Sequence, residues 1–396
     1  MKIAFFVRSL PPTVDGVGHY TWHLARALQE LGVDTHIFTS QDQKHHFGAP
    51  WIHAIIDHWT PKALSRMIDE MGLSGFDWCS FQYVPQMYGR AGICLRAVQI
   101  PAMLRRKLKC RVSVTFHEVS VAWKPALKNI VLAAVMHLQA KILLKSSDLI
   151  ITTQGRYQKM LQNLADEAGR QKIKVIPVGS NIIPEFAPDR VAGLRKKYGF
   201  GEDKILGIFG RLTSSRNFAL ALRILEKTKR LGLNVRLLVI GWAEHSNQKL
   251  FSDFQIAANR LKLEGSIRIT GVLSDKALSY HLQLVDLFLS LEQEGISTGS
   301  GTLMAALCHN LEVLAFRPLP DNFIEDMIPQ AILADRGQEE QFVNQAVEYL
   351  DPESSKIPAP PNKTYYEAHF AWPEIAGQYV NAFSEANSQS GRRTAR

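Results

Sequence analysis

The sequence lacks the patterns that mark several large classes of protein. Its four cysteines (Cys79, Cys94, Cys110 and Cys308) have no CxxC spacing, which argues against a disulfide framework or a structural zinc site and fits a reducing compartment. No apolar run reaches the roughly 18 to 20 residues that a membrane span needs. The apolar residues 1–7 are too few for a signal peptide and lack a cleavage site, so they predict a first strand. We therefore expect a cytoplasmic protein.

Metal-binding patterns are scarce as well. The thirteen histidines include no HExxH pair, and no Asp-x-Asp occurs. His45 and His46 fall in a predicted loop, where we do not expect a metal. Glu292 and Glu294 come nearest to a carboxylate-x-carboxylate site, but we predict a protein that needs no metal and no other cofactor.

Positive charge is in excess. The chain has 46 lysines and arginines against 37 acidic residues, a net charge of +9. Such an excess favours a phospholipid surface, a phosphorylated substrate or nucleic acid as partner. Nucleic acid is disfavoured because the basic residues are not interleaved with aromatic ones. The segment Arg96 to Arg111 mixes six cationic residues with apolar ones, which is typical either of a peripheral membrane contact or of a solvated helix face.

The order of the apolar segments predicts the fold class. A chain of 396 residues is too long for one core, so two domains are expected. Short strand patterns alternate with helical ones, which predicts α/β domains with doubly wound parallel sheets. The predicted strands are 3–7, 35–39, 111–116, 149–153 and 174–177 in the first half, and 205–209, 235–240, 266–270, 287–291 and 313–316 in the second.

The domain boundaries follow from this pattern. We predict Rossmann-like domains over 1–180 and 185–365 that face one another across a cleft, because ligands of such sheets bind at strand carboxyl ends. A final helix is expected within 366–386. The tail 387–396, rich in Ser, Gly and Arg, is expected to be disordered.

The most informative segment runs from Glu294 to Thr302, Glu-Gly-Ile-Ser-Thr-Gly-Ser-Gly-Thr. It follows a predicted strand and precedes a helix. Its glycines let a ligand approach the backbone, and the N–H groups of a helix start suit a phosphate. A carboxylate beside a phosphate cradle predicts a nucleotide-sugar ligand, whereas the alternative is an ordinary glycine-rich turn.

Four further loops carry candidate site residues after predicted strands. Their residues are Gly16 and Gly18 in the first loop, His117 beside Glu118, Arg211 with Arg216, and Gly241. The spacing of the first loop does not fit a dinucleotide fingerprint. A histidine at a strand end suits acid–base work or hydroxyl recognition, and two arginines can converge on one anion. Each residue could instead be structural.

Taken together, these motifs resemble those of the GT-B retaining glycosyltransferases of glycosyltransferase family four. The resemblance spans nearly the whole chain, and the motifs fall in the family's order. They are Asp15-Gly-Val-Gly18, Thr115-Phe-His-Glu118, Val175-Ile-Pro-Val-Gly179, Phe209-Gly-Arg-Leu212, Val239-Ile-Gly241 and Glu294-Gly295 with Met304-Ala-Ala306. Phe370-Ala-Trp372 opens a helix like the one that, in this class, crosses back to the first domain.

The resemblance implies a hexosyltransferase that moves a sugar from a nucleotide-diphosphate sugar to an acceptor hydroxyl with retention. It implies that Arg211 and Arg216 bind the donor diphosphate, while Glu294 and His117 contact sugar hydroxyls. Gly16 and Gly18 would line the phosphate and acceptor side. Beside these, the glycine-rich segment offers Ser297, Thr298 and Gly299 to the diphosphate, and Gly241 is expected near the nucleotide.

One position departs from the family pattern. Thr302 stands where the family usually has a second glutamate that grips the ribose, so a weaker or rearranged ribose contact is expected. A role in bacterial polysaccharide or glycolipid synthesis with a lipid-linked acceptor is a further expectation. A sugar-nucleotide epimerase, a phosphorylase and a catalytically silent sugar-nucleotide-binding protein are the alternatives.

Overall fold

A computed structural model describes most of the chain as two compact units. The described residues are 1–13, 15–43, 49–119, 127–242, 247–322, 331–354 and 362–394. The first unit comprises Met1–Gly179 with Trp372–Arg396, and the second comprises Ser180–Ala371. The expectation for His45 and His46 lies outside the described residues.

The first unit is built on a seven-stranded sheet in which every pairing is parallel. Its strands are β1 (Lys2–Phe6), β2 (Asp34–Ser40), β3 (Ile52–Ile56), β4 (Trp78–Tyr83), β5 (Arg111–Phe116), β6 (Leu149–Thr152) and β7 (Ile173–Val175), in the spatial order β3-β2-β1-β4-β5-β6-β7. The central strands are buried along their length, as expected of a sheet that helices cover on both faces.

Eight α-helices belong to the described part of this unit. They are α1 (Gly16–Glu30), α2 (Pro61–Met71), α3 (Pro85–Tyr88), α4 (Ile100–Leu108), α5 (Leu127–Ser146), α6 (Gly155–Leu164), α7 (Glu167–Gln171) and, from the end of the chain, α15 (Trp372–Thr394). Short 3₁₀ turns occupy Arg90–Gly92 and Ala97–Gln99. Asp15 caps α1 and Thr60 caps α2 through side-chain oxygens, which satisfies N–H groups that a helix start leaves unpaired.

The second unit repeats the architecture with six parallel strands. They are β8 (Lys204–Phe209), β9 (Val235–Ile240), β10 (Ile267–Ile269), β11 (Leu287–Ser290), β12 (Glu312–Phe316) and β13 (Ile332–Ala334), in the order β10-β9-β8-β11-β12-β13. Its helices are α8 (Pro188–Tyr198), α9 (Ala219–Arg230), α10 (Gln248–Arg260), α11 (Asp275–Leu282), α12 (Gly301–Cys308), α13 (Glu339–Leu350) and α14 (Asn362–His369), with a 3₁₀ turn at Glu264–Ser266.

Both sheets reverse their winding direction at one place. The switch lies between β1 and β4 in the first sheet and between β8 and β11 in the second. In doubly wound sheets, ligands bind beyond the carboxyl ends of the strands at this point. Gly16 begins the helix that follows β1, and Arg211 and Glu294 lie in the loops after β8 and β11, so these three predicted residues are at the switch points.

The α/β class and the parallel sheets are confirmed, but some elements differ from the prediction. Strands β3, β4 and β13 were not predicted. The final helix continues to Thr394, into the segment 387–396 for which the sequence predicts disorder. The 96–111 segment folds as a 3₁₀ turn, α4 and the start of β5, and its apolar side chains are buried in the core.

The cysteines form no disulfide among the described residues. All four cysteines are free and buried, and the sulfurs of Cys79 and Cys110 lie 3.1 Å apart. No helix within the described ranges is both long enough and apolar enough to cross a membrane.

Candidate functional site

In the second unit, the loops after β8 and β11 are joined by backbone contacts. Arg216 and Glu292 form an isolated antiparallel bridge. On either side, the Asn217 amide donates to the Leu291 carbonyl at 3.0 Å, and the Gln293 amide donates to the Ser215 carbonyl at 3.1 Å. The two loops that carry the predicted arginines and the predicted carboxylate therefore form one structure at the switch point.

Arg216 is held firmly within this structure. Its guanidinium donates to the Phe209 carbonyl at 2.8 Å, to Glu292 Oε1 at 2.6 Å and to Thr302 Oγ1 at 2.9 Å. Only 12% of its side chain is exposed, against 22% for Glu292. Since a guanidinium has five N–H donors, two of them have no partner among the described residues and remain for a ligand.

Arg211, in contrast to Arg216, is not held by other side chains of the described ranges. It follows Gly210, whose φ of 108° is a backbone conformation that favours glycine. The Arg211 side chain is exposed, and it has no hydrogen bond or ion pair to any residue of the described ranges. A permanently charged fork without a counter-charge at a switch point is suited to an anionic ligand.

The glycine-rich segment is shaped by contacts to the next strand. Gly295 has φ of 78°, and a Cβ there would lie 2.0 Å from the Arg317 carbonyl oxygen. The Ile296 amide donates to the Phe316 carbonyl at 3.2 Å. Thr298 is fully buried, and its amide and its hydroxyl both donate to the Asn322 carbonyl at 3.4 Å. The Thr298 hydroxyl is thus directed into the unit and not toward a ligand.

The helix start that the sequence predicted is present. Ser297 and Gly299 belong to a turn that ends at Ser300, and Ser300 caps α12 by accepting from the Leu303 amide at 3.3 Å. Thr302, in the first turn, lies 3.2 Å from the Ser300 hydroxyl and also accepts from Arg216. The Thr302 side chain is therefore engaged with protein groups.

The other two predicted residues of this unit also follow strands. Glu294 is exposed in the loop after β11. Gly241 comes directly after β9 with φ of 83°, and its amide donates to Thr270 Oγ1 at 3.1 Å. The neighbouring Trp242 is 1% exposed and packs edge-on against Phe218, so it is a core residue.

In the first unit, the loop between β1 and α1 is held by Asp15. Its carboxylate accepts from Ser9 Oγ at 2.6 Å and from the amides of Val17 and Gly18. A Cβ at Gly18 would lie 2.4 Å from the Ser9 carbonyl oxygen, whereas nothing lies within 4 Å of one at Gly16. Gly18 is thus required by packing, while Gly16 borders open space at the helix start.

His117 closes a buried amide network at the end of β5. Gln82 donates through Nε2 to Ser80 Oγ at 3.1 Å and to Thr115 Oγ1 at 3.4 Å, so its Oε1 is an acceptor. His117 Nε2 lies 2.9 Å from that oxygen and must carry the proton. Nδ1 is then a bare acceptor with no partner among the residues that the structure describes.

Burial keeps His117 neutral. It lowers the pKa of the imidazole from 6.5 to about 4, and the opposing effect of Asp15 is smaller. The Tyr20 ring and the imidazole of His117 are in T-shaped contact, with their ring centroids 4.8 Å apart. Tyr20 and Thr115 both hydrogen bond to the hydroxyl of Tyr379 in α15, which fixes the ring's surroundings. A neutral acceptor at this place suits hydroxyl recognition.

This pKa predicts acid sensitivity. Because the folded state disfavours the proton that the unfolded chain binds, stability is complete above pH 6.5 and falls as the pH drops toward 4. Because the pKa falls from 6.5 to about 4, and a tenfold change in proton affinity corresponds to about 1.4 kcal/mol, His117 contributes about 3.5 kcal/mol of unfolding free energy to that loss. Urea unfolding of the wild type and of His117→Gln at several pH values measures it.

We expect the His117→Gln variant to lose less stability than the wild type between pH 6.5 and 4. The matched control is His58→Gln, since the His58 side chain is exposed, and its pH profile should follow that of the wild type. Parallel profiles for all three proteins would show that His117 is charged in the fold at acid pH, contrary to this assignment.

Sequence reasoning missed three side chains, one in the second unit and two in the first, that contact the predicted residues. Glu292 was weighed only as a metal ligand, yet it accepts from both Arg216 and Ser290. Gln82 orients His117, and Tyr20 stands beside it. No local pattern marks these roles, because each partner comes from a distant part of the chain. Within the described ranges, no group of three or more His, Cys, Asp or Glu side chains is placed to hold a metal.

Comparison with known proteins rests on structure alone. No protein-family model matches the sequence, and the search of curated proteins found no match. The complex of HepE from Anabaena with UDP and glucose superimposes with a TM-score of 0.72 at 14% identity, over 97% of this chain and 100% of that chain. The chain has the GT-B glycosyltransferase fold.

Two other GT-B structures support the same assignment. Sucrose-phosphate synthase from Thermosynechococcus elongatus gives a TM-score of 0.67 at 14% identity, over 98% of this chain and 100% of that one. WaaG, a glycosyltransferase involved in lipopolysaccharide biosynthesis, gives 0.59 at 14% identity, over 98% of both chains. The expected GT-B architecture is therefore confirmed at the level of the fold.

Proposed function

We propose that this protein is a retaining glycosyltransferase that moves a hexose from a nucleotide-diphosphate sugar to an acceptor hydroxyl. The observation that carries the proposal is Arg211, an exposed guanidinium at the switch point of a GT-B sheet, with no counter-charge among the described residues and in the same unit as a capped helix start. This arrangement favours an anionic ligand over a purely structural turn. UDP with glucose in the HepE complex supports the ligand class.

The proposed chemistry follows from where charge develops. The bond between the sugar's anomeric carbon and the diphosphate oxygen breaks, and negative charge grows on that oxygen. Arg211 and the N–H groups at the start of α12 stabilise it in place before the reaction begins. The acceptor oxygen bonds to the same carbon, and its proton passes to the leaving phosphate, so neither a protein base nor a metal is required.

The other residues take binding roles in this proposal. Arg216 offers its two remaining N–H donors to the diphosphate, and the turn at Ser297 and Gly299 lines the phosphates. Glu294 accepts from hydroxyls of the donor sugar, and Gly241 borders the nucleotide. In the first unit, His117 Nδ1 accepts from a sugar hydroxyl, and Gly16 leaves room at the start of α1.

Thr302 sets this chain apart from the pattern of family four. Its hydroxyl is already bonded to Arg216 and Ser300, and it supplies no charge to a ribose. We therefore expect a weak or rearranged contact between the protein and the ribose of the donor. An acceptor in polysaccharide or glycolipid synthesis, presented on a lipid, remains part of the proposal.

The test is a thermal-shift and turnover screen against nucleotide-diphosphate sugars without added metal. A donor at about 100 times its dissociation constant adds roughly 2.7 kcal/mol of stability, which is visible as a melting shift. Product formed from the matching donor is then examined by NMR, where the anomeric coupling distinguishes retention from inversion.

Other outcomes point to the alternatives. Release of free nucleotide without any acceptor, together with a changed sugar, would indicate an epimerase. Binding without turnover across a broad panel of acceptors would favour a silent sugar-nucleotide-binding protein. No shift with any nucleotide or sugar-nucleotide would overturn the donor site itself.

A further inference from the structure

The positive charge of this protein is concentrated in one stretch of the first unit. Residues 78–147 contain eleven lysines and arginines and one acidic residue, Glu118. That stretch therefore has a net charge of +10, against +9 for the whole chain, so the remaining residues sum to about zero. Arg105 and Lys107 are paired with Asp148 and Asp69, which lie outside the stretch. The positive charge that remains favours a polyanionic partner.

The helix that the sequence singled out does not expose an apolar face. In α4, Ile100, Met103 and Leu104 are almost completely buried. Two of its cations are paired, Arg105 with Asp148 and Lys107 with Asp69. The helix α4 is thus an ordinary amphipathic helix whose large apolar residues belong to the core, and it exposes no large apolar side chain to a lipid surface.

Helix α5 differs from α4 in this respect. Its sequence is apolar on nearly every face, and Val131, Ala134 and Leu138 lie on the exposed side. Lys141 and Lys145 continue the same helical face, because residues three and four apart lie above one another. The side chain of Val131 is 56% exposed and that of Leu138 is 51% exposed. An exposed apolar stripe that runs into a basic one is typical of a helix lying in a membrane interface.

A second exposed apolar segment is fixed against α5. Gln139 of α5 accepts from the Cys94 amide at 2.6 Å and donates to the Gly92 carbonyl at 2.9 Å. The residue between them, Ile93, is 47% exposed, and Leu95 is 43% exposed, followed by the exposed Arg96. The buried amide of Gln139 thus anchors a turn that presents two large apolar side chains beside a cation.

Exposed apolar side chains cluster here. Thirteen large hydrophobic side chains are exposed among the described residues, and five of them lie in these two segments: Ile93, Leu95, Ile130, Val131 and Leu138. We name the set Ile93, Leu95, Arg96, Val131, Ala134, Leu138, Lys141 and Lys145 the α5 face. We propose that the α5 face docks the protein onto an anionic lipid bilayer.

The combination of charge and apolar exposure favours a bilayer over other partners. A second copy of this chain would bring the same excess of positive charge against itself, which is repulsive. Nucleic acid would use the cations but leave the apolar side chains in water. An anionic bilayer takes both, because phospholipid headgroups attract the lysines while the interface accepts the apolar groups. The proposal does not depend on the reaction that the protein catalyses.

Vesicle flotation of the full chain tests the proposal. We expect binding to vesicles of equal parts phosphatidylcholine and phosphatidylglycerol, weaker binding at high salt, and little binding to phosphatidylcholine alone. Lys141→Gln with Lys145→Gln should weaken binding to the anionic vesicles about 25-fold, from about five-fold for each charge. Val131→Ser with Leu138→Ser should weaken it by roughly ten-fold or more.

Matched variants in the second unit show whether the loss of binding is specific to the α5 face or follows from any loss of charge or of exposed apolar groups. Lys196→Gln with Lys249→Gln removes the same charge, and Leu231→Ser with Ile256→Ser removes similar exposed apolar groups. Both controls should bind like the wild type, and all variants should melt like it. No binding to anionic vesicles, or equal losses in the controls, would overturn the proposal. A dimer in solution that Val131→Ser with Leu138→Ser dissociates would assign the α5 face to a second copy instead.

Discussion

Replacing Arg211 with alanine should lower kcat/KM for the donor by roughly 100- to 1000-fold, the effect that loss of one transition-state donor has in other enzymes. The reason is that Arg211 has no competing partner among the described residues, so its charge is available to the diphosphate. The expected loss lies mainly in kcat, because the negative charge on the leaving oxygen increases in the transition state. Steady-state kinetics with the donor found by the screen measure it.

The same variant should leave the fold unchanged. Because the Arg211 side chain is exposed and has no hydrogen bond or ion pair within the described residues, the melting temperature of the variant should match that of the wild type. Arg336→Ala is the control, since it removes another exposed arginine of the second unit and should retain full activity. Arg211→Lys should recover only part of the rate, because an ammonium lacks the bidentate fork. Full activity in Arg211→Ala would remove this residue from the mechanism.

How far the sequence predicts the fold is seen from the strands. β9 and β11 have nearly continuous apolar runs, which is the pattern of strands buried on both faces, and they were predicted within a residue or so. β4 was missed although it lies at the centre of the first sheet. Ser80 and Gln82 interrupt its apolar run, and their burial is possible only because they hydrogen bond to one another and to Thr115.

The 96–111 segment and the end of the last helix were harder to predict from the sequence. The 96–111 segment has alternating basic and apolar residues that fit either a membrane contact or a solvated helix. The answer depends on whether the apolar side of the helix packs against a core. That core includes α2 and β4, which lie outside the segment in the sequence. The extension of α15 past residue 386 likewise runs through Ser and Gly residues that have weak helix propensity.

The site was predictable where local backbone chemistry dictates it. Gly295 with its positive φ, the capping Ser300 and the helix start at Gly301 follow from residue types and their spacing. The state of the two arginines was not predictable. Arg211 and Arg216 look equivalent in the sequence, yet one is exposed and the other is bound to Glu292, which arrives from a loop 76 residues further along the chain.

The ion pair between Arg216 and Glu292 is expected to have a large effect on stability. Glu292→Ala should lower the free energy of unfolding of the second unit by about 3 kcal/mol, because it leaves the guanidinium of Arg216, 12% exposed, without its counter-charge. The Arg216→Met variant should cost a similar amount by leaving the carboxylate unpaired. Urea unfolding followed by intrinsic fluorescence, with the two units resolved as separate transitions, is the measurement.

The double variant Arg216→Met with Glu292→Leu distinguishes a true ion pair from loss of packing. If the cost comes from an uncompensated charge, the double variant should be more stable than either single one, since both charges are then gone. Glu353→Ala, an exposed carboxylate of the same unit, should change nothing. Additive losses in the double variant would mean that the pair adds only its separate contacts. Coupling between the two would instead mean that Glu292 holds Arg216 in place, so that in this chain the β8 loop is positioned by a carboxylate of the β11 loop, while Thr302 supplies only a neutral contact.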